Sequence, residues 1–174
     1  PEDVVGELHR MSLGRSVDCA VARQTGRGRV GDVQDIGPIA GPGVASTNMA
    51  VRKRGRTTGL TYGLIETVDL SLRIDYGDGI GNRILRNQIG INVDPARSGQ
   101  FGAAGDSGSV VVNEADEVVG LHFAGSEDGS FGAANPIRAV LAALDVSLFT
   151  GETTAGRNIM FSRSRPRWRR PAGS

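Results

Sequence analysis

Ala104-Gly105-Asp106-Ser107-Gly108-Ser109 is the stretch on which the reading of this 174-residue chain turns. Glycine on both sides of Asp106-Ser107 lets the backbone turn sharply and aim successive N–H groups at one point. A serine hydroxyl is a weak nucleophile by itself, so chemistry at Ser107 needs a base beside it and donors for the oxyanion that develops. The N–H groups of Gly105 and Ser107 are the candidate donors. Asp106 is expected to turn inward and hold the loop, and a buried carboxylate is costly unless paired. Arg52-Lys53-Arg54-Gly55-Arg56-Thr57-Thr58-Gly59 supplies the pairing cation, either Lys53 or Arg56. A bare Gly-Asp-Ser-Gly is equally an ordinary surface turn. Its context argues otherwise, because the apolar run Val110-Val111-Val112 follows at once, then a turn and the strand candidate Val118-Val119-Gly120-Leu121-His122-Phe123.

Working outward, the composition fits a β-rich fold with many tight turns. There are 26 glycines and seven prolines, and only 5% of residues are aromatic; glycine usage is about twice the average. A net charge of +1 gives the body no strong bias toward nucleic acid or acidic lipid. The single cysteine, Cys19, excludes an internal disulfide and leaves the compartment unassigned. Beside Asp18 it reads as a small buried residue, since a carboxylate raises a thiol pKa. No apolar run approaches the ~20 residues of a membrane span, so no membrane partner is expected. Two histidines and one cysteine, far apart in sequence, argue against a zinc site. Gly77-Asp78-Gly79-Ile80-Gly81 is not followed by the helix that a phosphate-cradling loop opens. Neither a metal nor a cofactor is expected.

Strand candidates are Val4–Leu8, Ser16–Ala22, Val51–Lys53, Thr61–Val68, Leu70–Asp75, Arg86–Val93, Ser109–Asn113 and Val118–Ala124. Tyr76-Gly77-Asp78-Gly79 reads as a hairpin turn, and residues 25–48, rich in Gly and Pro, as a long surface connection. Asn135-Pro136 reads as an N-cap followed by Pro at the first helical position. Ile137, Val140, Leu141 and Leu144 then recur at helical spacing. Residues 150–174 lose these patterns. Arg157, Arg163, Arg165, Arg167, Arg169 and Arg170 occur there around Trp168. This reads as a solvated, disordered tail, and nucleic acid is not expected as a partner.

With these segments in order, the chain resembles the bacterial branch of the chymotrypsin-like serine peptidases. Gly105-Asp106-Ser107-Gly108-Ser109 resembles their nucleophile loop, and Gly55-Arg56-Thr57-Thr58-Gly59 with Gly63 the strand-turn-strand that opens their second barrel. Val119-Gly120-Leu121-His122-Phe123-Ala124-Gly125-Ser126 resembles the strand that pairs with substrate backbone. Ala134-Asn135-Pro136-Ile137 resembles the family's ending. The resemblance covers roughly residues 4–148. It implies an all-β, chymotrypsin-like double β-barrel with a C-terminal helix. Residues 1–48 would be the remainder of an incomplete first barrel plus the inter-barrel connection, 49–149 the second barrel with the helix, and 150–174 the tail. It further implies a serine endopeptidase acting through an acyl-enzyme on Ser107, with a peptide or protein as substrate. Val17-Asp18-Cys19-Ala20 is similar to the family's segment bearing the carboxylate that orients the catalytic imidazole, which assigns that role to Asp18. Phe123, Ala124 and Gly125 would hydrogen-bond substrate as an added strand. In glutamyl endopeptidases of the superfamily a histidine in the position of His122 helps bind an acidic side chain. A core histidine satisfied by a backbone carbonyl is the alternative for His122.

The family's triad runs His, Asp, Ser along the chain. His9 stands only nine positions before Asp18 and lacks the family's Ala-Xaa-His context. It is expected to be a solvated strand-end histidine, with the catalytic histidine lying before Pro1. Loss of one member of such a triad costs up to ~10⁶ in rate, so the chain alone is expected to be a poor peptidase. The reading from a different class is a non-catalytic, protease-like domain that binds peptides or proteins. Oligomeric state is left open.

Overall fold

A computed structural model describes residues 6–24, 31–77 and 79–150. In chain order these form β1 (Gly6–Leu13), β2 (Asp18–Gln24), β3 (Asp32–Val33), β4 (Gly37–Pro38), β5 (Gly41–Pro42), β6 (Ala50–Gly55), β7 (Gly59–Asp75), β8 (Asn82–Val93), β9 (Val110–Asn113), β10 (Glu117–Gly125), β11 (Phe131–Pro136) and helix α1 (Ile137–Leu144). The tail with its arginines and Trp168 lies outside the described residues, as do Val4, Val5 and Asp78.

The strands from β6 onward close on themselves. β6 pairs antiparallel with β7, β7 with β8, β8 with β11, β11 with β10, β10 with β9, and β9 returns to β6. Closure leaves this six-stranded ring with no free edge among its own strands. β5 adds in parallel to β10. β1 and β2 form a separate antiparallel hairpin, and β3 and β4 another. Among the described residues one barrel therefore closes, and the chain before it contributes two separate two-stranded sheets and the short strand β5.

Side chains alternate faces along a strand, so adjacent valines serve two cores. Val111 and Val119 point into the barrel with Val51, Ile65, Ile89, Ile91, Phe101 and Ala134. Their neighbours Val112 and Val118 point outward and pack with Val17, Cys19, Ile39 and the helical residues Ile137, Val140 and Leu144. The helix thus covers the outer face of β10 and the start of β2. Burial of ~20–30 cal/mol per Å² of apolar surface makes these two clusters the main stabilising term. No helix among the described residues is long and apolar enough to cross a membrane.

Several elements differ from expectation. Thr61–Val68 and Leu70–Asp75 belong to one long strand, β7, whose register with β8 shifts between Thr67 and Leu70. The loss of apolar alternation at that shift made one strand look like two. β11 carried no strand signal of its own, because Gly132-Ala133-Ala134 is built of small residues that owe their burial to their neighbours. The N-cap of α1 is Pro136 and no side chain caps the helix. The Asn135 side chain is turned away to another task, described below. Residues 31–48, expected as loop, contain the three two-residue strands β3, β4 and β5.

Candidate active site

Ser107 lies in the tight turn between Phe101 and β9, and the turn is fastened on three sides. From β10, the His122 carbonyl accepts the Gly108 N–H at 2.8 Å and the His122 N–H donates to the Ser109 carbonyl at 2.9 Å. Within the turn, Asp106 N–H donates to the Ala103 carbonyl at 3.1 Å. From the β6–β7 turn, Thr57 Oγ1 donates to the Ala104 carbonyl at 2.8 Å.

The third fastening also grips Asp106. Its side chain is fully buried and faces Lys53 Nζ at 3.0 Å, a lysine with no exposed surface either. Thr58 Oγ1 donates to Oδ2 at 2.6 Å, and the Thr57 and Ala103 amides donate at 2.8 and 3.1 Å. Burial alone would raise the Asp106 pKa. The Thr58 hydroxyl, the Lys53 ammonium and the two amides outweigh it and hold the carboxyl far below the usual carboxylate range. The same burial lowers the Lys53 pKa, against which Asp106 acts. Every lone pair of the carboxylate that could face apolar surroundings is thus engaged, the condition under which a buried ion pair is tolerated. Gly55 is required here: a Cβ on it would stand 2.3 Å from the Asp106 carboxyl. Of the two proposed cations, Lys53 makes the pair. Arg56 lies instead against Gly105, where an added Cβ would meet its guanidinium at 2.5 Å.

Gly105 adopts φ of +97°, open to glycine and strained for other residues. Among the described residues neither its N–H nor that of Ser107 donates to a protein group, whereas the amides of Asp106, Gly108 and Ser109 all do. Two unengaged donors therefore flank the serine. Ser107 Oγ is exposed and donates to the Phe123 carbonyl at 3.2 Å. That carbonyl reaches it because the β10–β11 register shifts between His122 and Ala124, leaving Phe123 as the extra residue of a bulge. A cleft of about 440 Å³ opens beside Ser107, walled by Gly102 to Ala104 on one side and His122 to Glu127 on the other.

His122 forms the cleft's inner wall. Its side chain is buried, its ring stands edge-on to Phe101 at 5.7 Å between centroids, and Nδ1 has no hydrogen-bond partner. A hydrogen bond with the Ala133 backbone also acts on the ring, in keeping with the alternative role of a core histidine satisfied by a carbonyl. Gly102 makes room for the ring, since a Cβ there would come within 2.7 Å of Nε2. Burial, then the nearby Lys53 charge, pushes the imidazole pKa down to about 4, with Asp106 opposing. His122 is therefore neutral near pH 7.

Asp18 is held apart from this group, at the start of β2. Tyr76 donates its hydroxyl to Asp18 Oδ2 at 2.7 Å. Burial and this hydrogen bond raise the Tyr76 pKa, so it remains a donor. The fully buried Asn135 side chain accepts the Asp18 N–H at 2.9 Å and donates to the Asp18 carbonyl at 2.8 Å. No hydrogen bond joins Asp18 to Ser107 among the described residues. His9 is exposed at the irregularity in β1 between Leu8 and Arg10, and no hydrogen bond among the described residues joins it to Asp18 or Ser107. Cys19 is buried, and its thiol pKa is raised by burial and by Asp18. Among the described residues no group of three His, Cys, Asp or Glu side chains could hold a metal ion.

Sequence reasoning did not find Thr57, Thr58, Tyr76 or Asn135 as members of this arrangement. The threonines had a signal, a Gly-bounded turn whose short polar residues suit bonding to backbone. Tyr76 and Asn135 had none, because their partners are distant in sequence.

None of the protein-family models matches this sequence, and no curated protein matches it. Solved structures do. The chain is similar to a glutamic acid specific serine protease reported to use a histidine triad in substrate binding, with 23% identity and a TM-score of 0.67 over 84% of this chain and 75% of that one. It is similar to Cellulomonas bogoriensis chymotrypsin, with 22% identity and a TM-score of 0.69 over 86% and 78%. Thermobifida fusca protease A follows with 21% identity and a TM-score of 0.60 over 80% and 72%. The likeness is one of fold: the chain has the β-barrel fold of bacterial chymotrypsin-like serine proteases, ending in a short helix.

Proposed function

We propose that this domain serves peptide-bond hydrolysis by acyl transfer, with Ser107 as the nucleophile. The observation that carries the reading is the pair of unengaged amides, Gly105 and Ser107, beside an exposed hydroxyl in a turn braced by a buried Asp106–Lys53 pair. In this reading Ser107 Oγ attacks the scissile carbonyl and gives its proton to an imidazole base. The new oxyanion takes hydrogen bonds from the two amides, donors whose loss typically costs ~10²–10³ in rate. Collapse expels the amine, protonated by the imidazolium, and water then releases the acyl group by the same steps in reverse. Asp18 orients the imidazole; its position is set by Tyr76 and Asn135. The imidazole comes from outside the described residues, since His9 is exposed on β1 and His122 is buried and hydrogen-bonds to Ser107 through neither nitrogen. The chain alone is accordingly a poor peptidase in this reading. Substrate backbone adds along Phe123, Ala124 and Gly125, with the leading side chain in the cleft.

The cleft bears on specificity. A neutral His122 in the cleft wall can donate a ring N–H to a carboxylate, and the glutamic acid specific protease of similar fold makes an acidic side chain the first candidate. Ser126 also lines the cleft, with its hydroxyl donating to Asp128 Oδ1 at 2.6 Å. The opposing reading is a peptide-binding domain without turnover, favoured by the Ser107 hydroxyl resting on a carbonyl rather than on a base.

Fluorophosphonate labelling and hydrolysis of peptides ending in Glu, Phe or Arg test these readings on the chain and on any longer natural form. Labelling that is lost in Ser107→Ala, with turnover highest on Glu, is expected wherever an imidazole base is present. No Ser107-dependent labelling in a form that carries such a histidine leaves the binding-domain reading standing. A Ser107-dependent activity without preference for Glu removes the role given to His122.

A further inference from the structure

We infer that Thr57 is a positioning residue that fixes the Ala104–Gly105 peptide so that the Gly105 N–H faces the reacting carbonyl. A trans peptide is planar, with C=O and N–H on opposite sides. Whatever holds the Ala104 carbonyl therefore sets the direction of the Gly105 N–H. Thr57 Oγ1 holds that carbonyl at 2.8 Å. Gly105 itself offers no resistance to rotation of this peptide, because at φ of +97° it lacks the side chain that would confine its backbone. The hydroxyl is in turn placed by its own backbone, since the Thr57 N–H donates to Asp106 Oδ1 at 2.8 Å. One turn of the barrel thus grips the nucleophile loop twice. The carboxylate grip holds the loop in place, and the carbonyl grip selects which face of one peptide is turned to substrate.

The inference rests on the reading of Ser107 as nucleophile only for its effect on rate. Its structural half stands separately. Thr57 is exposed, so replacing its hydroxyl leaves the buried pair and the core untouched. Thr57→Val keeps the N–H and the shape and removes the donor. Thr57→Ser keeps the donor. The ¹³C shift of the Ala104 carbonyl and the residual dipolar coupling of the Gly105 N–H, measured on the full chain, report the grip and the orientation. Both are expected to change in Thr57→Val and to return in Thr57→Ser, with the thermal midpoint lowered by no more than about 2–4 °C in Thr57→Val. Where Ser107-dependent ester hydrolysis is measurable, kcat is expected to fall about five-fold in Thr57→Val with KM retained, the worth of one ordinary hydrogen bond. An unchanged Gly105 coupling in Thr57→Val overturns the inference. A changed coupling with unchanged Ser107-dependent kcat overturns its catalytic half. Ester hydrolysis that Ser107→Ala spares counts against the nucleophile, and the coupling still decides for or against Thr57.

Discussion

His122 carries a measurable signature of its burial. Folding moves its pKa from an ordinary 6.5 down to about 4. Between those values the unfolded chain binds a proton that the folded chain refuses, so stability rises with pH across this window. The contribution is complete above pH 6.5 and lost as pH falls toward 4, and the shift corresponds to roughly 3 kcal/mol. Urea unfolding at pH 7.0 and 4.5 is expected to show most of that difference in the unchanged chain and little of it in His122→Leu. An equal loss in both would mean that other groups govern the acid response. An acidic ligand in the cleft should reverse the trend locally, because a carboxylate beside the ring favours the imidazolium. Sequence showed that His122 follows Ser107 at a suggestive distance. It did not show that the ring is neutral, since that follows from Phe101 and Lys53 being brought against it.

At the scale of elements, β11 does more than complete a barrel. Its Ala134 pairs with His122 on β10, and the next residue, Asn135, holds both backbone groups of Asp18 on β2. One strand therefore fixes the wall of the cleft and the carboxylate at once. Asn135→Leu fills the same volume and leaves the Asp18 N–H and C=O without their partners. A buried polar group so deprived costs ~1–3 kcal/mol. Denaturant unfolding should show a loss of about 2–4 kcal/mol, and the Asp18 amide should exchange much faster; a loss under ~0.5 kcal/mol would mean that water replaces the side chain. The helix pattern of Ile137, Val140 and Leu144 was readable because it depends on spacing within eight residues. The task of Asn135 was not, because an Asn before a Pro signals a helix start wherever no partner 117 residues away competes for it.

At the scale of the molecule, the closed barrel and the β1–β2 hairpin differ in support. The barrel strands each have two partners in the ring. The hairpin has one pairing, and Leu8 and Met11 on β1 are 66% and 63% exposed. A two-stranded sheet is marginal without packing. Here α1 supplies it, through Val17 and Cys19 against Ile137, Val140 and Leu144, and through Arg10 donating to the Leu144 carbonyl at 2.6 Å. Native-state hydrogen exchange is expected to show β1 and β2 amides opening at lower free energy than those of Ile91, Val111 and Val119 in the barrel. Equal protection in both sheets would show that they unfold as one unit. By itself the sequence determined the Gly-flanked turn around Ser107, the strand-rich class and the terminal helix, because each is written in neighbouring residues: glycines that permit a turn, apolar alternation, apolar spacing. Only the tertiary structure decided that Lys53 rather than Arg56 neutralises Asp106, that His122 is uncharged, and that Asn135 and Tyr76 hold Asp18. Those outcomes depend on which side chains are desolvated together, and desolvation is a property of the closed barrel rather than of any stretch of chain.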